Sequence, residues 1–265
     1  MPSAPVDHPL NLFMQSVLTY GSYLVTVILL VIAIVMGVRQ KTPFYVLLIL
    51  AAFIGAFAEP LYDVGMSLWF YTPGLWTTFT AFGIPQPVWA HSGYVVLYAG
   101  PAMFICDRIA KGLTATGLYQ WAAIELACSC AFEMIGINGG LYEYWGPHAF
   151  RILNYPLAIG MLETAQVVCL AVAAAELRRR ATSHWQLLGL LVMFPCTFYL
   201  GNFGAGAPMI IALHLEQPSV FMSTLCSAIS IGAALVLIVA ASRMLPAEQA
   251  QRVRAPMPAG MPQAA

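Results

Sequence analysis

Glu59 and Asp63 stand four residues apart in AFAEPLYD, while Glu133 and Glu163 each occur singly within long apolar stretches. A carboxyl group in apolar surroundings holds its proton more tightly than one in water. It can therefore serve as a general acid near neutral pH. A second carboxylate can steady a positive charge, and aromatic faces can do the same. Such a set could protonate an alkene or an epoxide, guide the resulting cation, and return the last proton to a base. Glu59 is the expected proton donor, and Glu133, Glu163 and Asp63 are expected to stabilise the cation or act as the final base. His91 is expected to tune a neighbouring acid, and Tyr62, Trp69, Tyr144, Trp145 and Asn202 are the expected substrate contacts.

The chain that positions them is built for a bilayer. Of its 265 residues 60% are apolar and 8% are charged, against roughly a quarter charged in ordinary globular chains. A membrane-spanning helix needs about 20 mostly apolar residues, and seven segments qualify: 17–37, 43–66, 88–106, 118–137, 155–177, 185–203 and 219–242. The expected fold is all-α, a polytopic bundle of seven transmembrane helices over residues 1–244. A disordered cytoplasmic tail rich in Pro, Ala and Gln is expected over 245–265.

Lysine and arginine concentrate in cytoplasmic loops. Arg39 and Lys41 follow the first span, Arg108 and Lys111 the third, Arg178, Arg179 and Arg180 the fifth, and Arg243, Arg252 and Arg254 the last. Arg151 alone falls on the other side. This alternation predicts an outside N-terminus, a cytoplasmic C-terminus and a multi-pass protein of the cell membrane.

With that orientation, Glu59, Asp63, Glu133, Asn138, Glu163, His91 and Asn202 fall at one level in the outer half, joined by loop residues Glu143, His148, Arg151, Asn154, His214 and Glu216. Ionisable groups inside a span usually face the bundle interior and mark a site. The competing reading makes Asn138, Asn154 and Asn202 helix caps and lets the shallower acids reach water. Trp69, Trp76, Trp89 and Trp145 also gather at this end. They are either an interfacial belt or the lining of a pocket that holds a cation. The uncharged, Pro-containing loop 72–87 is expected to fold back as a lid, and NFGAGAP (202–208) either shapes a cavity wall or breaks a helix.

Several function classes drop out. A net charge of zero gives no field to attract nucleic acid. The six cysteines form no CxxC pair and have no histidine at ligand spacing, which argues against a zinc site or disulfide frame. The last span has no lysine to hold retinal, and the five histidines are scattered singly, unlike the ligand sets of di-iron or haem proteins. Aspartate occurs only at positions 7, 63 and 107, so no Asp-rich element exists to hold magnesium on a diphosphate. No metal and no cofactor are expected. What remains is acid-initiated chemistry on an uncharged, lipid-soluble substrate.

In length, span number and lack of an Asp-rich motif the chain resembles the small integral-membrane terpene cyclases of meroterpenoid pathways. Glu59 in AFAEPLYD stands where that family has an essential glutamate in its second span. The family's second acid lies in the last span, where this chain has none, and Glu216 is the nearest candidate. FEMIGINGGLYEYWG (132–146) is similar to a Glu followed by a Gly- and Tyr-rich turn in membrane carotenoid-biosynthesis proteins. Both resemblances imply an isoprenoid substrate met within membrane lipid, and neither implies a protein partner. The rival expectation is a small proton-coupled transporter that uses the same acids as a relay.

Overall fold

The computed structural model describes residues 4–246. From residue 247 onward the expected tail lies outside the described residues. Helix α1 (Leu12–Gln40) starts at Asn11, whose side chain accepts from the Met14 amide, and ends at Lys41 in a left-handed conformation. Helix α2 (Phe44–Gly55) tightens through a 3-10 turn at Ala56–Ala58 and continues as α3 (Glu59–Met66). Pro60 falls in the first turn of α3, where its missing N–H is tolerated. Glu59 thus opens a helix in the middle of a spanning segment. Strands β1 (Leu68–Phe70), β2 (Thr77–Ala81) and β3 (Ile84–Pro87) follow. Next come α4 (Ala90–Tyr94), a π turn at Val95–Ala99 and α5 (Gly100–Ala110).

Helix α6 (Ala115–Asn138), capped by Thr114, leads to β4 (Tyr142–Tyr144), β5 (Arg151–Ile152) and β6 (Tyr155–Pro156). Helix α7 (Leu157–Arg180) is followed by a 3-10 turn at His184–Gly189, α8 (Leu190–Phe198), a second π turn at Tyr199–Gly204 and α9 (Ala207–Leu213). Helix α10 (Val220–Arg243), capped by Ser219, is the last described. Helices α5, α6, α8 and α10 pack around α7, α2 packs on α8, and α1 lies against α2. Helix α7 is buried over most of its length, so any polar side chain on it must find its partners inside the bundle.

Among the described residues six helical segments are long and apolar enough to cross a membrane: Leu12–Gln40, Phe44–Met66, Ala115–Asn138, Leu157–Arg180, His184–Gly204 and Val220–Arg243. They match six of the seven expected spans. The remaining one, expected at 88–106, is helical from Ala90 to Ala110, about 30 Å at 1.5 Å per residue. His91, Ser92, Gly93, Gly100, Pro101, Asp107 and Arg108 make it less apolar than the others. The sixth of the seven closes at Gly204, beside Asn202 as expected, and a turn at Ala205 and Gly206 separates it from α9.

At one end of the bundle Arg178 donates to the Tyr45 hydroxyl and to Gln40 Oε1, both at 2.7 Å, and Gln40 donates to Asp107 at 3.1 Å. The ends of α1, α5 and α7 and the start of α2 therefore meet there. Arg39, Arg108, Arg178 and Arg243 occupy last turns, where a cation opposes the helix dipole.

The opposite end adds three antiparallel ribbons to the expected all-α bundle. The loop at 72–87 is a β2–β3 hairpin closed by Phe82 and Gly83, both left-handed as a two-residue hairpin turn requires. A second such turn at Leu153 and Asn154 joins β5 to β6. Asn138 ties it to α6 by donating to the Leu153 carbonyl at 2.8 Å.

Candidate active site

Strand β1 pairs with β4 so that Leu68 faces Tyr144, Trp69 faces Glu143 and Phe70 faces Tyr142. Alternation along a strand sends successive side chains to opposite faces. Leu68, Phe70, Tyr142 and Tyr144 accordingly turn inward onto a cavity of about 30 Å³, which α3 closes with Glu59 and Tyr62, α6 with Phe132 and Glu133, and α7 with Glu163. Ala90, Gly93, Tyr94 and Leu97 add a further wall at the i, i+3, i+4, i+7 spacing of one helix face, with Trp89 and Tyr98 beside them. Among the described residues no lysine, arginine or histidine lines the cavity. It has room for roughly one water-sized group.

Glu163 is the best-bonded acid. Its Oε1 accepts from the Tyr98 hydroxyl at 3.0 Å and from Tyr62 at 3.3 Å, and its Oε2 accepts from Ser129 at 2.6 Å and Tyr155 at 3.1 Å. Four donors on two oxygens form the arrangement that suits an ionised carboxylate. Glu133 Oε2 accepts from Tyr144 at 3.1 Å, and the Tyr144 and Tyr62 phenols are themselves 3.3 Å apart. Glu59 Oε2 accepts from Tyr94 at 2.5 Å. A chain of phenols thus links Glu133 to Glu163, while Glu59 faces the cavity with one hydrogen bond.

The loop that carries Tyr144 is fixed from outside. Arg151 donates to the carbonyls of Tyr144 at 2.6 Å, Gly146 at 3.1 Å and Asn154 at 2.9 Å, so its guanidinium is a backbone clamp. Neutral His148 donates from Nε2 to the Met66 carbonyl at 2.9 Å. Burial, reinforced by Arg151, pulls its imidazole down to about 3. Burial first and the Glu133 carboxyl second push the Tyr144 phenol well above the ordinary tyrosine range. It keeps its proton and can donate.

No protein family, curated protein or solved structure matches the chain. The site must be read from its own geometry. Among the expected residues, Glu59, Glu133, Glu163, Tyr62 and Tyr144 line one cavity. The others do not. Asp63 is buried one turn beyond Glu59, where Gln86 of β3 donates to its Oδ2 at 2.6 Å, so it anchors the hairpin. His91 Nδ1 pairs with the Phe53 carbonyl at 2.9 Å and its ring lies against Phe53 and Phe57. It tunes no acid. Trp69 alternates to the opposite face of β1 from Leu68 and Phe70, Trp145 lies just past β4, and neither lines the cavity. Asn202 sits in the second π turn, its Nδ2 returned to the Phe198 carbonyl at 3.1 Å.

The sequence singled out none of Tyr94, Tyr98, Ser129, Phe132, Tyr142 and Tyr155 as a site residue, and it placed Trp89 only among the tryptophans of this end. Three of these had a signal. Ser129 lies four residues before Glu133, and Tyr94 four before Tyr98, so each pair shares a helix face. Among the described residues no group of three or more His, Cys, Asp or Glu is arranged to hold a metal ion. Glu125 is buried on the same α6 face as Ser129 and Glu133, with Oε1 unpaired.

Proposed function

We propose that the chain crosses the cell membrane seven times, with its N-terminus outside and its C-terminus cytoplasmic, and works there as an acid–base enzyme of the terpene-cyclase kind. Its substrate is an uncharged isoprenoid drawn from the lipid. The observation that carries this reading is the convergence of Glu59, Glu133 and Glu163, from three helices, on one tyrosine-lined cavity without a basic side chain. A forming cation would meet carboxylates and aromatic faces there and no repelling charge.

In this scheme Glu59 donates its proton to an alkene or epoxide and leaves as the carboxylate. The carbon skeleton then carries the positive charge. Glu163, held by four hydroxyls, stabilises that charge through space. Loss of a proton to Glu133, assisted by Tyr144, forms the product double bond; the phenol chain shares that proton with Glu163, and its transfer across the cavity that all three acids line restores Glu59. The net reaction is an isomerisation or cyclisation that consumes no metal, cofactor or oxidant. A cavity of about 30 Å³ admits the reacting group alone, so the hydrocarbon needs side-chain movement to enter.

Mass spectrometry of lipid extracts from isoprenoid-producing cells tests this. A new cyclised product with the wild-type chain and none with Glu59→Gln, at equal membrane insertion, is expected. Full product from Glu59→Gln would sink the assignment. A proton-coupled carrier is the second reading, favoured by one observation: Glu125, Ser129 and Glu133 continue a buried polar line along α6. Solute uptake into proteoliposomes that follows a pH gradient would select it.

A further inference from the structure

Gly93 lies in α4 with its amide bonded to the Trp89 carbonyl at 2.8 Å, in ordinary helical conformation. A buried glycine inside a helix normally answers to a close neighbour, because alanine is the better helix former. The other buried glycines do so. A Cβ on Gly201 would lie 2.7 Å from Gln166 Cβ, one on Gly65 2.9 Å from the Phe203 ring, and one on Gly136 2.3 Å from the Tyr142 oxygen. At Gly93 a Cβ meets nothing within 4 Å, although the residue is buried and lines the cavity. Neither backbone conformation nor packing calls for glycine there. The missing side chain is empty space beside the acids.

That space lies between two elements with different neighbours. Helix α4 packs on α1 and α2, whereas α6 packs on α7 and α10, and the cavity wall on the α6 side is Phe132. Phe132 is half-buried and is flanked by exposed Ala131 and Ile135. It is the lining side chain that continues to the outer face of the bundle.

We propose that Gly93 holds open the slot that receives the substrate's hydrocarbon, entered from the bilayer past Phe132, so that the residue at position 93 sets the size of isoprenoid accepted. This rests on the reading of the cavity as an isoprenoid site. Binding tests it apart from turnover. Trp89 lines the cavity, and its fluorescence reports geraniol, farnesol and geranylgeraniol added to detergent-solubilised protein, with Trp89→Phe identifying the signal. Gly93→Leu is expected to weaken farnesol and geranylgeraniol at least tenfold, and geraniol less, with Gly93→Ala between. Phe132→Ala is expected to speed association of all three. The melting temperature of Gly93→Ala should equal or exceed that of wild type, which separates a filled slot from misfolding.

Unchanged affinities in a folded Gly93→Leu variant, or no saturable binding of any alcohol to wild type, would overturn the slot. If the alcohols bind and Gly93→Leu blocks them while no product forms in cells, the slot stands and the catalytic reading falls. If product forms and Glu59→Gln abolishes it while every Gly93 variant keeps the wild-type length preference, the reverse holds.

Discussion

The Tyr62 and Tyr144 phenols lie 3.3 Å apart, and each also reaches a carboxylate, Tyr62 to Glu163 and Tyr144 to Glu133. Three contacts share the two phenolic protons. A proton on Glu133 fills the third, and a shift of one hydrogen in each contact then delivers a proton to Glu163 while both phenols stay whole. Tyr62→Phe should therefore lower product formation by about a hundredfold, the lower range for loss of positioned proton transfer. Tyr144→Phe should do the same. Because both belong to one path, the double variant should be little worse than either single one. Independent, multiplying losses in product yield would show that the phenols act separately.

How much of this was open to a reader of the sequence depends on what local periodicity can specify. The apolar runs announce their helices because a bilayer imposes length and composition together. The third helix was legible as a run, yet its π turn at Val95–Ala99, which carries Tyr98, leaves no periodic trace. Glu59, Glu133 and Glu163 stood out as acids in apolar surroundings. Their convergence depends on how α3, α6 and α7 rotate against each other, which packing decides. Trp69 illustrates the limit. Its type and level suited a pocket, but its parity on β1 was unknowable until β4 was seen to pair with it. Asp63 shares a helix face with Glu59, and only its bond to Gln86, 23 residues away, reveals its anchoring role.

His148 gives the fold a defined response to acid. Its imidazole titrates near 6.5 in the unfolded chain and is lowered to about 3 in the folded one, chiefly by burial. Below about pH 6.5 the unfolded state thus binds a proton that the native state refuses, so stability is complete above that pH and declines as the pH falls toward 3. One proton corresponds to about 1.4 kcal/mol per pH unit at full slope, so roughly 1 kcal/mol should be lost between pH 6 and 5. His148→Gln can still donate to the Met66 carbonyl and does not titrate. Thermal unfolding in detergent should show the decline in wild type and a correspondingly flatter profile in the variant. Equal slopes would place the acid sensitivity elsewhere.

Gly136 permits the closest approach in the site. The Tyr142 phenol lies against the α6 backbone so tightly that a Cβ at position 136 would come within 2.3 Å of its oxygen and 2.5 Å of its ring. The ring cannot retreat freely, because Trp89 and Phe70 pack on it with centroids 5.5 and 5.7 Å away. Gly136→Ala must therefore drive Tyr142 toward the cavity, at an overpacking cost of about 1–3 kcal/mol. Stability should fall by that amount and the product pattern should change, since the displaced ring fills the space between Glu133 and Phe70. Adding Tyr142→Leu to Gly136→Ala removes the clashing ring. It should recover most of the melting temperature but not the wild-type products, because the aromatic wall is then missing. Recovery of both would mean that Tyr142 fills space without shaping the reaction.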